Sequence, residues 1–423
     1  MHYTCILQKR RIIVSGILSM ILAGGEGTRL FPFTSLRAKP AVPFGGGYRI
    51  IDFVLNNFVN SDLLQIYVLT QFKSHSLMKH LSQAWQITGL TGRFIDPIPA
   101  QMRTGKHWYK GTADAIYQNI NLIESQDPEI VCVFGGDHIY KMDVRQMIDY
   151  HRSKAAELTV AAIPVPVEQA HQFGIIEVDD TGKMIGFEEK PKHHPKTMPH
   201  RPSHVLASMG NYVFDADSLV NYLQIDAEDE TSIHDFGHNI IPMLVPGGNV
   251  YVYDFSTNEI RAEPETSRGY WRDVGTLDAY YEANMDLISV TPPFDLYNRY
   301  WPLRSYHPAV PPAKFIHDYE NRTGHAINST VSAGCIISGS TVKQSILGHR
   351  VHVHSHAYIE ESVLMGHTEI GKGCRIKRAI LDQEVTVAEG TVIGEDPEFD
   401  RQRFHVSDSG IVVIPKGARV GFN

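Results

Sequence analysis

The sequence predicts an α/β protein in which a Rossmann-like, mostly parallel sheet is followed by a C-terminal left-handed parallel β-helix. Over roughly the first 290 residues, short apolar runs alternate with amphipathic stretches. Prolines then cluster after Tyr300, and beyond about Ile327 small or β-branched residues recur near every sixth position. The chain therefore divides into a sheet domain, a proline-rich segment and a repeat domain.

The elements of the sheet domain follow from the spacing of its apolar residues. Apolar runs bounded by turn residues predict strands at 18–22, 66–70, 130–134 and 158–163. Amphipathic stretches predict helices at 52–60, 76–86, 112–124 and 144–154. This βαβ order favours a parallel sheet covered on both faces, with loops at the carboxyl ends of the strands placed to bind a phosphate.

The repeat domain is predicted from apolar positions six residues apart. The pairs are Val331 and Ile337, Val353 and Ile359, Ile370 and Ile376, and Val387 and Ile393. With glycines at the turns, this pattern is typical of a hexapeptide-repeat β-helix, whose edges suit contacts between subunits. We expect an N-terminal arm at 1–16, the sheet domain at 17–300, a linker at 301–326 and the β-helix at 327–423.

The composition limits the classes of partner and the compartment. The 423 residues carry a formal net charge of −8, which argues against a general nucleic-acid surface. The four cysteines show neither disulfide nor metal spacing, as expected of a cytoplasmic protein. Residues 9–23 imitate a signal peptide, but cleavage there would remove a strand, so we interpret the apolar run as buried and expect no membrane contact.

A glycine loop after the first predicted strand is the clearest functional signal. Gly24, Gly25 and Gly27 let backbone N–H groups approach a phosphate, while Arg29 and Lys39 add positive charge. A P-loop would end in Gly-Lys-Ser/Thr, and a dinucleotide fingerprint would place a third glycine three residues after Gly27. Neither condition is met, so the loop is predicted to hold a nucleotide in another way.

Five further motifs narrow this prediction. They are Pro43-Phe44-Gly45-Gly46, Arg49-Ile50-Ile51-Asp52-Phe53, Trp108-Tyr109-Lys110-Gly111-Thr112-Ala113-Asp114, Asp137-His138-Ile139-Tyr140 and Tyr270-Trp271-Arg272-Asp273-Val274-Gly275-Thr276. With the glycine loop, they resemble the sugar nucleotidyltransferases and, among these, the glucose-1-phosphate adenylyltransferases, from about Ile17 to the C-terminus. The resemblance implies transfer of the adenylyl group of ATP to α-D-glucose 1-phosphate with release of diphosphate, the committed step of bacterial glycogen synthesis.

The resemblance also implies roles for individual residues. Arg29 and Lys39 are expected to hold the leaving diphosphate, and Asp137 and Asp273 to ligate the cofactor Mg²⁺, which prefers one or two carboxylates. The residues expected to contact the nucleotide surround the glycine loop and two later loops: Leu22, Gly24, Gly25, Gly27, Thr28, Gln71, Trp108, Tyr109, Gly111 and Thr112. Among them, the Gln71 amide is expected to meet the adenine edge.

The sugar phosphate is expected to bind at a Glu-Lys-Pro element. The resemblance implies that Lys190 grips the phosphate and Glu189 bonds the ring hydroxyls, supported by Tyr109, Gly174 and Ser208. Taken alone, this element would be interpreted as a solvated charge run.

Regulatory features are less sharply defined. Relatives activated by sugar phosphates often carry a lysine where this chain has Leu36. Five basic residues are candidates for an effector anion site between the domains: Arg37, Arg49, Arg375, Lys377 and Arg378. Small-molecule effectors and a homotetramer are expected.

The histidines at 349, 352, 354 and 356 alternate like outward side chains of a coil. Because the pattern contains no acidic or cysteine partners for them, we expect these histidines to be solvated rather than metal-bound.

Other functions stay open at this point. One is a related pyrophosphorylase that uses UTP, dTTP or GTP with another sugar phosphate. Others are an inactive regulatory subunit of the same fold and an acyltransferase carried by the β-helix. The intact Arg29, Lys39, Asp137, Lys190 and Asp273 argue against an inactive subunit, and the repeat shows no separate acyl-acceptor motif.

Overall fold

The computed structural model describes residues 16–87, 92–103, 105–193, 195–318 and 322–422. The predicted N-terminal arm lies outside these residues, apart from Gly16. The strands of the first domain are β1 (Ile17–Leu22), β2 (Pro43–Phe44), β3 (Tyr48–Arg49), β4 (Gln65–Thr70), β5 (Phe94–Pro99), β6 (Ile130–Gly135), β7 (His138–Tyr140), β8 (Leu158–Pro166), β9 (Gly174–Val178), β10 (Met184–Glu189), β11 (His204–Asp215), β12 (Val250–Asp254) and β13 (Trp271–Asp273). The helices are α1 (Ile50–Asn60), α2 (His75–Ala84), α3 (Thr112–Tyr117), α4 (Ile120–Gln126), α5 (Val144–Ser153), α6 (Ala216–Glu228), α7 (Ile241–Leu244) and α8 (Leu277–Asp286).

The main sheet has the order β10-β9-β11-β6-β1-β4-β5, and β8 joins it between β11 and β12. Strand β1 pairs in parallel with β4 and β6, and β4 with β5, as the βαβ pattern predicts. Strand β11 runs antiparallel to β6, β8 and β9, which makes the other half of the sheet mixed. The carboxyl ends of β1, β4 and β6 therefore lie at one edge, where the glycine loop begins.

The predicted helix at 112–124 is two helices, α3 and α4, which meet at Asn119. The Asn119 side-chain amide donates to the Ala115 carbonyl oxygen at 2.8 Å and to the Tyr109 hydroxyl at 2.9 Å. A side chain that bonds the backbone in this way competes with the helical ladder. The break coincides with this contact, and the apolar period of the sequence does not reveal it.

The second domain is the predicted parallel β-helix. Its strands are β14 (Lys314–Asp318), β15 (Arg322–Thr323), β16 (His325–Ile327), β17 (Thr330–Val331), β18 (Ile336–Ser338), β19 (Thr341–Lys343), β20 (Ile346–Leu347), β21 (His352–Val353), β22 (Tyr358–Glu360), β23 (Val363–Leu364), β24 (Glu369–Ile370), β25 (Arg375–Lys377), β26 (Ala379–Leu381), β27 (Thr386–Val387), β28 (Val392–Ile393), β29 (His405–Val406), β30 (Val412–Ile414) and β31 (Arg419–Val420), with α9 (Pro397–Arg403). They form three sheets, ordered β15-β14-β18-β21-β24-β27-β31, β16-β19-β22-β25-β28 and β17-β20-β23-β26-β30-β29.

Two details refine the predicted boundaries and repeat. Because β14 pairs in parallel with β18, the β-helix begins at Lys314, before the predicted boundary at 327. All the predicted repeat positions are buried except Val331, which is half-buried at the first coil. Stacking of these side chains from coil to coil forms the core of the domain.

The two domains share one hydrophobic cluster. The first domain contributes Leu30, Phe33, Phe44 and Tyr280, among others. The β-helix contributes Ile346, Val363, Met365, Ile380, Ile411 and Val413. The two domains therefore pack against each other through one continuous cluster of buried apolar side chains.

No helix within the described ranges is long and apolar enough to cross a membrane. Cys132, Cys335 and Cys374 are buried and form no disulfide, while Cys5 lies outside the described residues.

Candidate active site

The glycine loop leaves the carboxyl end of β1 and borders a cavity of about 590 Å³. Most of the residues predicted to touch the substrates line this cavity: Leu22, Gly24, Gly25, Gly27, Thr28, Arg29, Lys39, Gln71, Tyr109, Gly111, Thr112, Asp137 and Glu189. The structure thus brings residues from several distant segments to one site, at the strand edge where α/β proteins bind ligands.

The backbone of the loop explains why glycine occupies these positions. Gly27 has a φ of 64°, and a Cβ there would lie 2.8 Å from the Lys39 Cβ. A Cβ at Gly24 would lie 3.2 Å from the Gln71 Cβ. At Gly25, by contrast, no described atom lies within 4 Å of the Cβ position, so this part of the loop faces open space. The loop is packed against the protein on one side and accessible to a phosphate on the other.

Lys39 lies between the two predicted metal ligands. Its Nζ donates to Asp137 Oδ2 at 2.9 Å and to Asp273 Oδ1 at 3.0 Å, and its side chain is almost fully buried. Strand β13 pairs with β7 so that Asp273 is opposite His138, which places the two aspartates side by side. Residues far apart in the sequence therefore form one compact cluster of charges.

The charges in this cluster stabilise one another. Burial alone would lower the pKa of Lys39, but Asp137 and Asp273 outweigh it and raise that pKa above its ordinary value. Burial alone would raise the pKa of Asp137, yet the neighbouring Lys39 ammonium, with the Arg29 guanidinium, holds that pKa well below its ordinary range. Asp137 is therefore ionised, which is the form in which a carboxylate ligates a metal ion.

The two carboxylates have the donor chemistry that Mg²⁺ prefers. Both offer an oxygen within 3.0 Å of one cationic nitrogen, so a single positive charge already sits between them. A Cβ at Gly275 would lie 3.0 Å from Arg29 Nη2 and 3.0 Å from the carboxylate oxygens of Asp273, so a larger residue there would have to displace these charged groups by a few tenths of an ångström. An all-oxygen pair beside a phosphate loop fits a hard divalent cation of the Mg²⁺ class.

Glu189 reaches the cavity from the end of β10 between two glycines. A Cβ at Gly174 would lie 2.7 Å from Glu189 Oε2, and a Cβ at Gly237 would lie 2.5 Å from the same atom. Gly174, which we expected to touch the sugar phosphate, makes room for the Phe187 ring, whose Cζ such a Cβ would approach still more closely, and for the Glu189 carboxylate. Ser208 is buried and does not line the cavity.

Lys190 and Trp108 are predicted site residues that do not line the cavity. Lys190 is 55% exposed, forms an ion pair with Glu189 at 2.9 Å, and does not line the cavity. Trp108 is 54% exposed and also lies outside the lining. Lys190 Nζ nevertheless lies beside a carboxylate that lines the cavity, and Trp108 precedes Tyr109, which also lines it.

Gln71 contacts the backbone of Tyr109. Its Oε1 accepts from the Tyr109 N–H at 2.8 Å, and its Nε2 donates to the Tyr109 carbonyl oxygen at 3.4 Å. In this structure the Gln71 amide therefore holds the loop around Tyr109 close to the glycine loop and keeps one N–H and one oxygen lone pair for a further partner.

Sequence reasoning missed the segment around Asp235. Asp235 and Phe236 line the cavity, and Asp235 Oδ2 accepts from the Thr112 hydroxyl at 2.9 Å. A Cβ at Gly111 would collide with the carbonyl oxygens of Ile233 and His234. No sequence motif identified this segment. The only sequence feature connected with it is Gly111, where the backbone of residues 233–234 approaches too closely for a side chain.

Tyr212 and His138 also line the cavity and were not predicted as site residues. His138 belongs to a quoted motif, so the sequence contained a signal for it. Its buried Nδ1 has no hydrogen-bond partner in the part of the chain that the structure describes.

The candidate effector site is not formed as expected, because its basic residues already have separate partners. Arg37 makes a bidentate ion pair with Asp382, in which the two side chains are 3% and 1% exposed. Burial and the neighbouring Arg37 lower the pKa of Arg49 to about 10, and its Nη1 donates to both the backbone and hydroxyl oxygens of Ser76. A buried, doubly bonded Arg37 is not available to an effector anion in this structure.

The β-helix members of that set are also paired. Arg375 contacts Glu395 at 2.6 Å, Lys377 contacts Glu360 at 3.1 Å, and Arg378 donates to the Ser409 carbonyl oxygen at 3.3 Å. Arg375 is exposed and Lys377 and Arg378 are half-buried, so these three, unlike Arg37, keep donors that solvent can reach.

Comparison with known proteins agrees with this site. A family model described as nucleotidyl transferase matches residues 18–290, and one described as GlmU-like C-terminal hexapeptide matches residues 311–414. Glucose-1-phosphate adenylyltransferase from Aliivibrio fischeri (strain ATCC 700601 / ES114) is 58% identical over 409 residues, covering 97% of this chain and 100% of the relative. The enzyme of the same name from Photobacterium profundum has the same identity and coverage. That from Anaeromyxobacter sp. (strain Fw109-5) is 54% identical over 96% of this chain and 99% of the relative. The chain belongs to the glucose-1-phosphate adenylyltransferase family.

Proposed function

We propose that this chain joins ATP and α-D-glucose 1-phosphate to give ADP-glucose and diphosphate. The observation that carries this function is the meeting of Lys39, Asp137 and Asp273 beside the open face of the glycine loop. The relatives named above, which match nearly the whole chain, carry the name of this activity.

The reaction needs positioning and charge balance more than acid–base chemistry. An oxygen of the sugar phosphate attacks the α-phosphorus of ATP, the bond from that phosphorus to the diphosphate breaks, and diphosphate leaves. A phosphomonoester is ionised at neutral pH, so no general base is required. Arg29 and Lys39 both line the cavity, and we assign their positive charges to the leaving diphosphate.

Asp137 and Asp273 are the residues that would hold Mg²⁺. When bound, the ion would neutralise phosphate charge and orient the reacting groups. In this structure the Lys39 ammonium donates hydrogen bonds to both carboxylates. If these bonds broke, the ammonium would be free to contact the diphosphate. Glu189 and Asp235 supply carboxylate acceptors on the cavity wall, which suit the hydroxyl groups of the sugar.

The test is a comparison of nucleotides. We would measure kcat/KM for ATP, UTP, dTTP and GTP with glucose 1-phosphate and Mg²⁺, using the full chain alone. The highest value is expected with ATP. A preference for another nucleotide would assign the chain to a related pyrophosphorylase activity, and no turnover with any of them would favour a regulatory subunit.

Regulation and assembly form a second part of this proposal: a cytoplasmic homotetramer controlled by small metabolites. Its support is the second domain, which contacts the catalytic domain through a shared core, and the exposed apolar side chains of Phe31, Leu36 and Phe399. Light scattering and titration of the activity with fructose 1,6-bisphosphate, fructose 6-phosphate, pyruvate and AMP would test it. A monomer that responds to none of these would contradict it.

A further inference from the structure

Two histidines and a glutamate form a cluster on the outer surface of the β-helix. His352 lies on β21, His354 follows that strand, and Glu369 lies on β24. The possible ligand atoms of the three side chains all lie within 4.8 Å of one another. The histidines had no acidic partner in the sequence pattern, because the partner belongs to the next coil.

The register of the coils brings these side chains together. His352 is paired with Glu369 in the parallel ladder. The His352 N–H donates to the Thr368 carbonyl oxygen and the His354 N–H to the Ile370 carbonyl oxygen, each at 2.9 Å. These two bonds lie on either side of Glu369, so its side chain shares a face with both histidines.

The coil beneath the cluster is rigidly packed. Val353 and Ile370 point inward from the same two strands and are fully buried. Their packing fixes the separation of the coils and therefore the separation of the outward side chains. A site built on such a scaffold is held in place before a ligand arrives.

The side chains have the chemistry of a metal site that is open to solvent. His354 Nε2 lies 3.0 Å from Glu369 Oε1, and the rings of His352 and His354 are 3.9 Å apart between centroids. The side chains of His354 and Glu369 are 39% and 54% exposed, so an ion can enter and keep water as a further ligand. Two imidazoles and one carboxylate suit Zn²⁺, Co²⁺, Ni²⁺ or Cu²⁺, whereas Mg²⁺ prefers oxygen ligands.

We propose that His352, His354 and Glu369 bind one late first-row divalent transition-metal ion, represented here by Zn²⁺, which links two adjacent coils of the β-helix. The ligands come from neighbouring coils and converge only in the folded domain. Binding to the folded state alone stabilises that state in proportion to the ion's concentration and affinity.

Equilibrium dialysis of the tag-free full chain with Zn²⁺ tests the proposal. The protein is first treated with a chelator, and excess Mg²⁺ is present throughout to compete at the active-site carboxylates. The variants are His352→Ala, His354→Ala and Glu369→Gln. The matched control is His356→Asn, which removes an exposed histidine of the same coil and suits its φ of 63°.

Wild type and the control should bind about one more equivalent of Zn²⁺ than the variants. Loss of a residue that only hydrogen-bonds a metal ligand typically weakens metal binding roughly 10- to 100-fold. Loss of a direct ligand should weaken Zn²⁺ binding by at least as much. Zn²⁺ should raise the melting temperature of wild type and the control only. Co²⁺ should likewise give a ligand-field absorption band that the three variants lack.

Equal Zn²⁺ binding and equal thermal shifts in all five proteins would overturn the proposal. Loss of the additional equivalent in Asp137→Asn, with retention in His354→Ala, would also overturn it by assigning the ion to the active site. Both readouts are independent of catalysis, so they stand apart from a failure of the proposed function.

Discussion

The Arg37 guanidinium donates to both carboxylate oxygens of Asp382, a residue 345 positions later in the chain. This ion pair joins the segment between the glycine loop and Lys39 to the end of β26 in the β-helix. The ion pair lies beside Tyr280, a member of the hydrophobic cluster that the domains share. It therefore connects the contact between the domains to the segment that carries Lys39.

Removal of one partner of this pair should be costly. Arg37→Ala leaves a buried carboxylate without its counter-charge, and we expect the free energy of unfolding to fall by roughly 3–5 kcal/mol. The double variant Arg37→Met/Asp382→Leu should recover much of this loss, since no charge stays buried. Urea unfolding measures both. Arg268→Ala, which breaks an exposed pair with Glu259, is the control and should cost about 1 kcal/mol or less. Equal losses at Arg37 and Arg268 would contradict this expectation.

The metal ligands should matter for turnover more than for folding. Asp137→Ala and Asp273→Asn are each expected to lower kcat by a factor on the order of 10² or more, because each removes a proposed Mg²⁺ ligand. Each change leaves Lys39 with one remaining carboxylate, so the melting temperature should stay close to that of wild type. Asp180→Asn, an exposed aspartate, is the control. Near-normal kcat at saturating Mg²⁺ in a folded variant would refute the assignment.

A change at Lys190 should affect the binding of the sugar phosphate and not that of the nucleotide. Lys190→Gln is expected to raise KM for glucose 1-phosphate about 10- to 100-fold, because a charge-assisted contact contributes roughly 1.5–3 kcal/mol. KM for ATP should change little. Steady-state kinetics with each substrate varied would measure this, with the exposed Lys192→Gln as control. Similar changes in both KM values would place Lys190 outside the sugar-phosphate pocket.

His151 should make stability depend on pH. It is buried between α5 and β8 with Nδ1 2.9 Å from the Thr159 hydroxyl, and burial lowers its pKa from 6.5 to about 4. Between these values the unfolded chain binds a proton that the folded chain does not. The free energy of unfolding therefore falls as the pH drops through this window, by roughly 3 kcal/mol from this group, and is unaffected above it.

His151→Gln should flatten that part of the pH profile of the urea midpoint. His238→Gln, which removes an exposed histidine, should leave the profile unchanged. Parallel profiles for wild type and His151→Gln would show that His151 does not cause the dependence.

Deletion of the chain after Pro312 tests the division of labour between the domains. It would expose the first-domain part of the shared cluster, including Phe33, Phe44 and Tyr280, so we expect aggregation or loss of assembly. Response to effectors should be lost before all chemistry is lost, because the proposed catalytic residues precede Tyr300. Light scattering and activity with and without the four metabolites named above would decide. Native size with unchanged regulation would place the regulatory site in the first domain.

Local patterns in the sequence determined the main strands, the glycine loop and the hexapeptide repeat. Apolar residues that recur with a period of two, 3.6 or six can be recognised directly in the sequence. Each period places these residues on the one face that a strand, a helix or a β-helix coil buries. The glycine loop and the resemblance together identified half of the residues that line the cavity, including Arg29, Asp137 and Glu189. Side chains outside a recognised motif, such as Asp235, were missed.

Only the tertiary structure decided which charges meet. Lys39 contacts aspartates 98 and 234 residues away, Arg37 is paired with Asp382, and Glu369 completes the cluster of His352 and His354 from the next coil. An ionic side chain takes its partner from whatever the packed elements place beside it, and the sequence separation of that partner has no fixed period. The sequence therefore identifies the charged residues, whereas sheet order, coil register and the contact between the two domains determine how they pair.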